Sequence, residues 1–179
     1  MRIIAGNYKG RRLETPENYD IRPTTDKVKE AMFSILSNDI PGSVCVDLFA
    51  GTGNLGIEAL SRGAKKCYFC DNSKVSIGII KRNIAHCEAE GAVVYAGDFN
   101  RCLERIREKA DVFIVDPPYE ENLYEKVFSK INELDLLSED GVIVAEHGKY
   151  QDMPEEINGF VKIKERKYGH IFLSLYTWA

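Results

Sequence analysis

The sequence predicts an α/β fold, a doubly wound and mostly parallel sheet with an antiparallel C-terminal hairpin at its edge, and three observations predict it. After residue 43, short apolar runs alternate five times with stretches whose apolar residues recur at helical spacing. One of those runs, 112–115, is apolar without interruption, as a strand buried on both faces requires. The last 20 residues lose the helical period and read as two strands turning at Tyr168-Gly169-His170.

Each element has its own signal. Residues 2–5 and 11–13 flank Gly6-Asn7-Tyr8-Lys9-Gly10 and form a small β-hairpin, and 16–23 is irregular. Val28, Met32, Ile35 and Leu36 share a helix face, with Thr24 or Thr25 as N-cap and Asp26 in the first turn. A strand over 44–48 leads into a helix over 54–62, and a strand over 65–71 into a helix over 73–87 capped by Ser73. A strand over 93–96 precedes a helix through Leu103 and Ile106. The strand 112–115 precedes a helix carrying Leu123, Val127, Phe128 and Ile131. The strand 142–145 closes the parallel set, and 160–166 with 171–177 make the hairpin. With no repeat or linker, 1–179 reads as one domain, a basic hairpin extension (1–23) on a catalytic core (24–179).

Composition excludes several classes. Hydrophobic residues make 44% and charged residues 29% of 179, the mix of a soluble globule. No run of 18 apolar residues could span a membrane, and Lys9 and Arg11 arrive before any signal-peptide core develops. Five cysteines without a secretory leader fit free thiols in a reducing compartment, so the expected location is the cytoplasm. The net charge of −4 is uneven: residues 116–156 carry twelve acids against three lysines, and the remainder is basic. Arg2, Lys9, Arg11, Arg12 and Arg22 at the start, and Lys164 and Arg166 near the end, are candidate contacts to phosphates, with ordinary solvated strand edges as the alternative. The acidic segment is expected to face away from that phosphate-binding surface.

The chemistry gathers at strand ends. Asp47-Leu48-Phe49-Ala50-Gly51-Thr52-Gly53 follows the first strand, and its glycines let the backbone approach a ligand at a helix N-terminus. Gly51, Gly53 and Gly56 also satisfy the dinucleotide pattern G-x-G-x-x-G, which leaves a dinucleotide-dependent oxidoreductase as a rival. Asp47, however, would repel a pyrophosphate and attract an ammonium or sulfonium such as S-adenosylmethionine carries. Asp71, with Asn72, ends the second strand, where an acid takes ribose hydroxyls, and Asp98 with Phe99 suits the amino group and face of an adenine. Asp116-Pro117-Pro118-Tyr119 ends the buried strand. The Asp116 carboxylate and Pro117 carbonyl can accept both N–H groups of an exocyclic base amine, making a poor nucleophile more negative as it attacks. Tyr119 offers a stacking face for a base swung out of its helix.

The chain resembles the bacterial RsmD-type 16S ribosomal RNA guanine-N2 methyltransferases over nearly its whole length. The likeness rests on Arg2-Ile3-Ile4-Ala5-Gly6 with Lys9-Gly10-Arg11, and on Arg22-Pro23-Thr24-Thr25-Asp26-Lys27-Val28-Lys29-Glu30. It continues in the Asp47–Gly53 segment, in Leu60-Ser61-Arg62-Gly63-Ala64 and in Asp116-Pro117-Pro118-Tyr119. The glycine loop and the last tetrapeptide are shared by many amino-methyltransferases; the N-terminal segments are more specific. The resemblance implies a seven-stranded class I methyltransferase sheet, S-adenosylmethionine as donor, and a guanine of 16S ribosomal RNA, in the small subunit or its assembly intermediate, as acceptor. Asp116, Pro117 and Tyr119 would then act on the base, and Asp47, Phe49, Gly51, Gly53, Asp71, Asn72, Asp98 and Phe99 on the donor. Asn54 departs from the Ser or Ala expected there, and Cys70 from an aliphatic. The same tetrapeptide also serves adenine N6 methylation of DNA or RNA, and a non-catalytic RNA-binding module is a third rival. Neither membrane nor metal is expected, since Cys67 and Cys70 lie three apart on a strand and point to opposite faces.

Overall fold

The computed structural model describes residues 1–17, 25–118, 120 and 122–179; Arg22 and Tyr119 lie outside them. The described elements are α1 (Asp26–Ile35), β1 (Val44–Leu48), α2 (Asn54–Ser61), β2 (Lys66–Asp71), α3 (Lys74–Cys87), β3 (Ala92–Ala96), α4 (Phe99–Arg105), β4 (Ala110–Val115), α5 (Leu123–Glu133), β5 (Leu137–Gly148), β6 (Glu156–Ile157), β7 (Phe160–Tyr168) and β8 (Ile171–Trp178). One sheet runs in the order β3-β2-β1-β4-β5-β8-β7-β6, parallel from β3 to β5 and antiparallel beyond. The order doubles back at β1, and a ligand crevice lies outside the carboxyl ends of the strands flanking that switch.

The sheet has eight strands rather than the seven the resemblance implied, because two-residue β6 adds itself to the edge of β7. β5 also begins five residues before the predicted 142. Ser138-Glu139-Asp140-Gly141 looks like a turn, yet Leu137 pairs with Ala110, and an irregularity between Ala110 and Val112 absorbs the offset. α4 ends at Arg105; Ile106 is extended and buried, so it packs as a cap rather than as a helical residue.

Alternate strand residues feed two cores. Cys45, Cys67, Phe69, Val112, Ile114 and Val144 pack against α1, α2 and α3, while Val46, Leu48, Cys70, Phe113, Val115 and Ile143 pack against α4 and α5. Cys67 and Cys70 thus lie in different layers. Gly56 brings α2 close to β2: a Cβ there would come within 2.3 Å of the Phe69 ring. Thr25 caps α1 through the Val28 N–H, and Ser73 caps α3 through the Ser76 N–H.

The N-terminal hairpin is reduced to a single antiparallel bridge between Arg2 and Arg12, and it is docked rather than free. Ile3 and Leu13 are buried in the α1–α3 core. The buried Glu58 carboxylate accepts the backbone N–H groups of Ile4 at 2.8 Å and Ala5 at 3.1 Å, and pairs with Lys29 at 3.1 Å and Arg62 at 2.9 Å. Lys29 in turn donates to the carbonyl of Arg2 and to Asn54 Oδ1, both at 2.7 Å. The hairpin therefore runs along α2, with Met1 beside Thr52 at one end and Asn7 and Tyr8 on Ser61 at the other.

Candidate active site

A cavity of about 1110 Å³ opens at the carboxyl ends of the parallel strands, and the segments that follow each of β1 to β4 contribute to it. After β1, the chain turns through Phe49 with φ 65°, Gly51 with φ 61° and Gly53 with φ 82°. A left-handed conformation costs a non-glycine residue on the order of 1 kcal/mol or more, so Phe49 is held there by its surroundings. The loop folds back onto the next strand end: the Ala50 N–H donates to the Cys70 carbonyl at 2.8 Å, and the Gly51 N–H to Asp71 Oδ2 at 2.9 Å. Asp71 Oδ1 accepts the Ser73 N–H at 2.9 Å, and its backbone carbonyl accepts the Gly97 N–H at 3.0 Å. One aspartate thus ties three loops together while each carboxylate oxygen keeps a lone pair for a ligand.

Asp47 is 2% exposed. Its Oδ2 accepts the Gly56 N–H at 2.9 Å, which fixes α2 with its N-terminus against the cavity. Burial, reinforced by the nearby Asp71 carboxylate and opposed by the Gly56 N–H, pushes Asp47 up to about 8. A buried acid so disposed is stabilised in its charged form by a cationic ligand. Asp98 caps α4, accepting the Arg101 N–H at 3.0 Å, and presents Phe99 to the cavity. The Phe49 and Phe99 rings are in tilted contact, 5.9 Å between centroids, and together form an aromatic wall of the cavity between the first and third loops. Asn72 lies on the rim beside Asp71.

Asp116 and Pro117, following β4, line the same cavity directly across from the glycine loop, because β4 is paired with β1. Desolvation and the neighbouring Glu146 carboxyl, which hydrogen-bonds it, hold Asp116 well above the usual carboxylate range. Glu146 was not singled out from the sequence. It follows the apolar run of β5 directly, and only the strand pairing, with Val115 opposite Ala145, sets it beside Asp116. Met1, Glu120 and Lys126 also line the cavity. The acidic segment accordingly does not all face away, since Asp116 and Glu120 belong to the cavity wall and Glu146 is buried beside it.

The basic residues divide. Arg2 and Arg12 are exposed on the part of the hairpin held next to Asn54. Arg166 is exposed on β7 and level with Glu146, both being opposite Leu173 of β8; Lys164 lies lower on β7, opposite Leu175. Lys9 and Arg11 sit where the hairpin turns, at the C-terminal ends of α2 and α3, roughly 12 Å of helix away from the cavity-facing end. Arg11 is spent on the fold, donating to the Cys87 carbonyl and covering the Tyr8 ring.

The residues present fit S-adenosylmethionine. The acids suit a cation, the Asp71 carboxylate a ribose, and the aromatic wall of Phe49 and Phe99 a purine face. Asn54, also on the cavity wall, has a buried Nδ2 with no acceptor among the described residues. Among the described residues no cluster of three metal-ligating side chains occurs, and no helix is long and apolar enough to cross a membrane.

Sheet order, glycine loop and acid-lined crevice define a class I methyltransferase. The family described as conserved hypothetical protein 95 matches residues 1–177, and the chain belongs to it. It is 36% identical over 180 residues to the ribosomal RNA small subunit methyltransferase D of Haemophilus influenzae, covering 98% of this chain and 93% of that protein. It is 39% identical over 180 residues to YlbH of Bacillus subtilis, covering 98% of each. The solved structure of yhhF from Escherichia coli superposes with a TM-score of 0.90 at 28% identity, covering 99% of this chain and 97% of that one. Membership of a methyltransferase family implies S-adenosylmethionine as the methyl source.

Proposed function

We propose that the protein transfers a methyl group from S-adenosylmethionine to the exocyclic N2 amine of a guanine in 16S ribosomal RNA, within the small subunit or an assembly intermediate. The observation that carries the reading is the position of Asp116 and Pro117 on the wall of the cavity that the glycine loop and Asp71 also form. The name of the Haemophilus relative supports the RNA class. When bound, the donor supplies a methyl group on a positively charged sulfur. Asp71 and Asn72 hold its ribose, Asp98 and the Phe49 and Phe99 rings its adenine, and Asp47 with the backbone of Gly51 and Gly53 its amino-acid end. Asp116 and Pro117 accept the two amine N–H groups and orient the nitrogen lone pair toward the methyl carbon, so that positioning and electrostatics provide most of the acceleration. Tyr119, outside the described residues, keeps the stacking role that its place in the tetrapeptide suggests, as Arg22 keeps its phosphate contact. Arg2, Arg12, Lys164 and Arg166 grip phosphates around the extruded base, in a cytoplasmic enzyme that needs neither membrane nor metal. Calorimetry tests the cofactor class: saturable binding of S-adenosylmethionine and none of NAD is expected, and the reverse preference would overturn the reading.

A further inference from the structure

Three acids stand on neighbouring strands toward the cavity, Asp47 on β1, Asp116 directly after β4 and Glu146 within β5. β4 and β5 are parallel, with Val115 opposite Ala145, so Asp116 and Glu146 are the next residues along adjacent strands. Their carboxyls meet in a hydrogen bond, and two carboxyls can do so only with a proton between them. Glu146 is 7% exposed, and its backbone carbonyl accepts the Tyr124 hydroxyl from α5, which pins this part of β5 from the other layer. The remaining charged groups toward the pair are Asp47, felt by Asp116, and Glu120 and Lys126 on the cavity wall. His147 packs on the β8–β7 side, its Nε2 2.7 Å from Ser174 Oγ and 4.0 Å from Glu165, and the Glu146 carboxyl is the weakest of the influences on it.

We propose that Glu146 is a positioning residue for methyl transfer, sharing one proton with Asp116 so that one aspartate oxygen is held and the other is left to accept an N–H of the attacking amine. This rests on the methyl-transfer reading and adds a residue to it. With one proton the pair bears a single negative charge, complementing the single positive charge that passes from sulfur to nitrogen. Without the proton two carboxylates repel each other and Asp116 loses its orientation; with a second proton it becomes a weaker acceptor. Burial, and the Glu146 carboxyl beside it, both favour keeping a proton on the Asp116 side of the contact.

The test compares wild type with Glu146→Gln, an isosteric variant that still donates to Asp116 but cannot lose that proton, and Glu146→Ala, which cannot donate. Infrared difference spectroscopy on protein without RNA or donor should find one protonated carboxyl fewer in Glu146→Gln than in wild type at neutral pH. In methyl transfer, kcat of wild type should fall on the alkaline side as the shared proton is lost, and Glu146→Gln should lack that fall while keeping near-wild-type kcat at neutral pH. Glu146→Ala should lose about tenfold or more in kcat with KM for RNA unchanged. Equal carboxyl bands in wild type and Glu146→Gln, the same alkaline fall in both, or equal damage from Gln and Ala would overturn the proposal. The infrared readout needs no substrate, so its failure is distinct from a failure of the methyl-transfer reading.

Discussion

Replacing Glu58 by Ala tests how the N-terminal hairpin is held. Its carboxylate, fully buried, serves Lys29, Arg62 and the N–H groups of Ile4 and Ala5 at once. Breaking a buried ion pair by removing one partner costs about 3–5 kcal/mol, because the other charge is left in a poor solvent. Each backbone N–H stripped of its acceptor adds about 1–3 kcal/mol until water reaches it. The hairpin can lift from α2 to admit that water, which limits the total, so Glu58→Ala should lose about 3–5 kcal/mol in urea unfolding. Hydrogen exchange should show the Ile4 and Ala5 amides losing protection. Pairing Lys29→Met with Glu58→Gln removes both charges but keeps an amide oxygen for the hairpin, and should recover at least about 2 kcal/mol of the loss. A loss under about 1 kcal/mol for Glu58→Ala, or undisturbed Ile4 and Ala5 amides, would refute the reasoning.

Other consequences follow from the cavity. Asp116→Ala should abolish methyl transfer and leave donor affinity nearly unchanged in calorimetry, whereas Asp71→Ala should weaken donor binding about tenfold or more, since the ribose contact and the carboxylate's bonds to the Gly51 and Ser73 N–H groups are lost together. For Asp47, folded protein holds the proton up to about 8, while the unfolded chain releases it near about 4. Its contribution to stability is therefore full below about pH 4 and is lost as pH rises toward about 8, so Asp47→Asn should flatten that decline in urea unfolding of the ligand-free protein. Arg166→Ala should weaken binding to ribosomal RNA and lower the slope of log affinity against log salt by roughly 0.7, whereas Lys9→Ala, at the far end of α2, should change neither.

Much of this architecture is legible in the residues, for reasons that also explain the gaps. Buried parallel strands such as β4 read as unbroken apolar runs, and Ser73 and Thr25 announce helices because their side chains satisfy orphan N–H groups. The first half of β5 hides behind Glu139-Asp140-Gly141, since a polar stretch paired only with the start of β4 has the composition of a turn. β6 is too short to show any period. Lys29 and Glu58 look like solvated helix residues by type; only the topology, which lays the hairpin along α2, reveals that they meet each other with no water between. Asp47 and Asp116 stand out because each closes a strand beside a glycine or proline loop, and Asp71 because it ends the next strand 20 residues after Gly51. Glu146 does not, because β5 runs on past it and no special turn marks the spot. Lys9 and Arg11 carry the right charge for RNA, but charge along the chain does not tell which end of α2 the hairpin turn occupies.

The most direct test of the central claim uses small ribosomal subunits from a strain lacking this gene, incubated with the purified protein and isotopically labelled S-adenosylmethionine, with the nucleosides of 16S ribosomal RNA then resolved by mass spectrometry. The account predicts that the label appears as N2-methylguanosine at one position. Label in N6-methyladenosine, or no label in RNA from a protein that binds the donor, would contradict it.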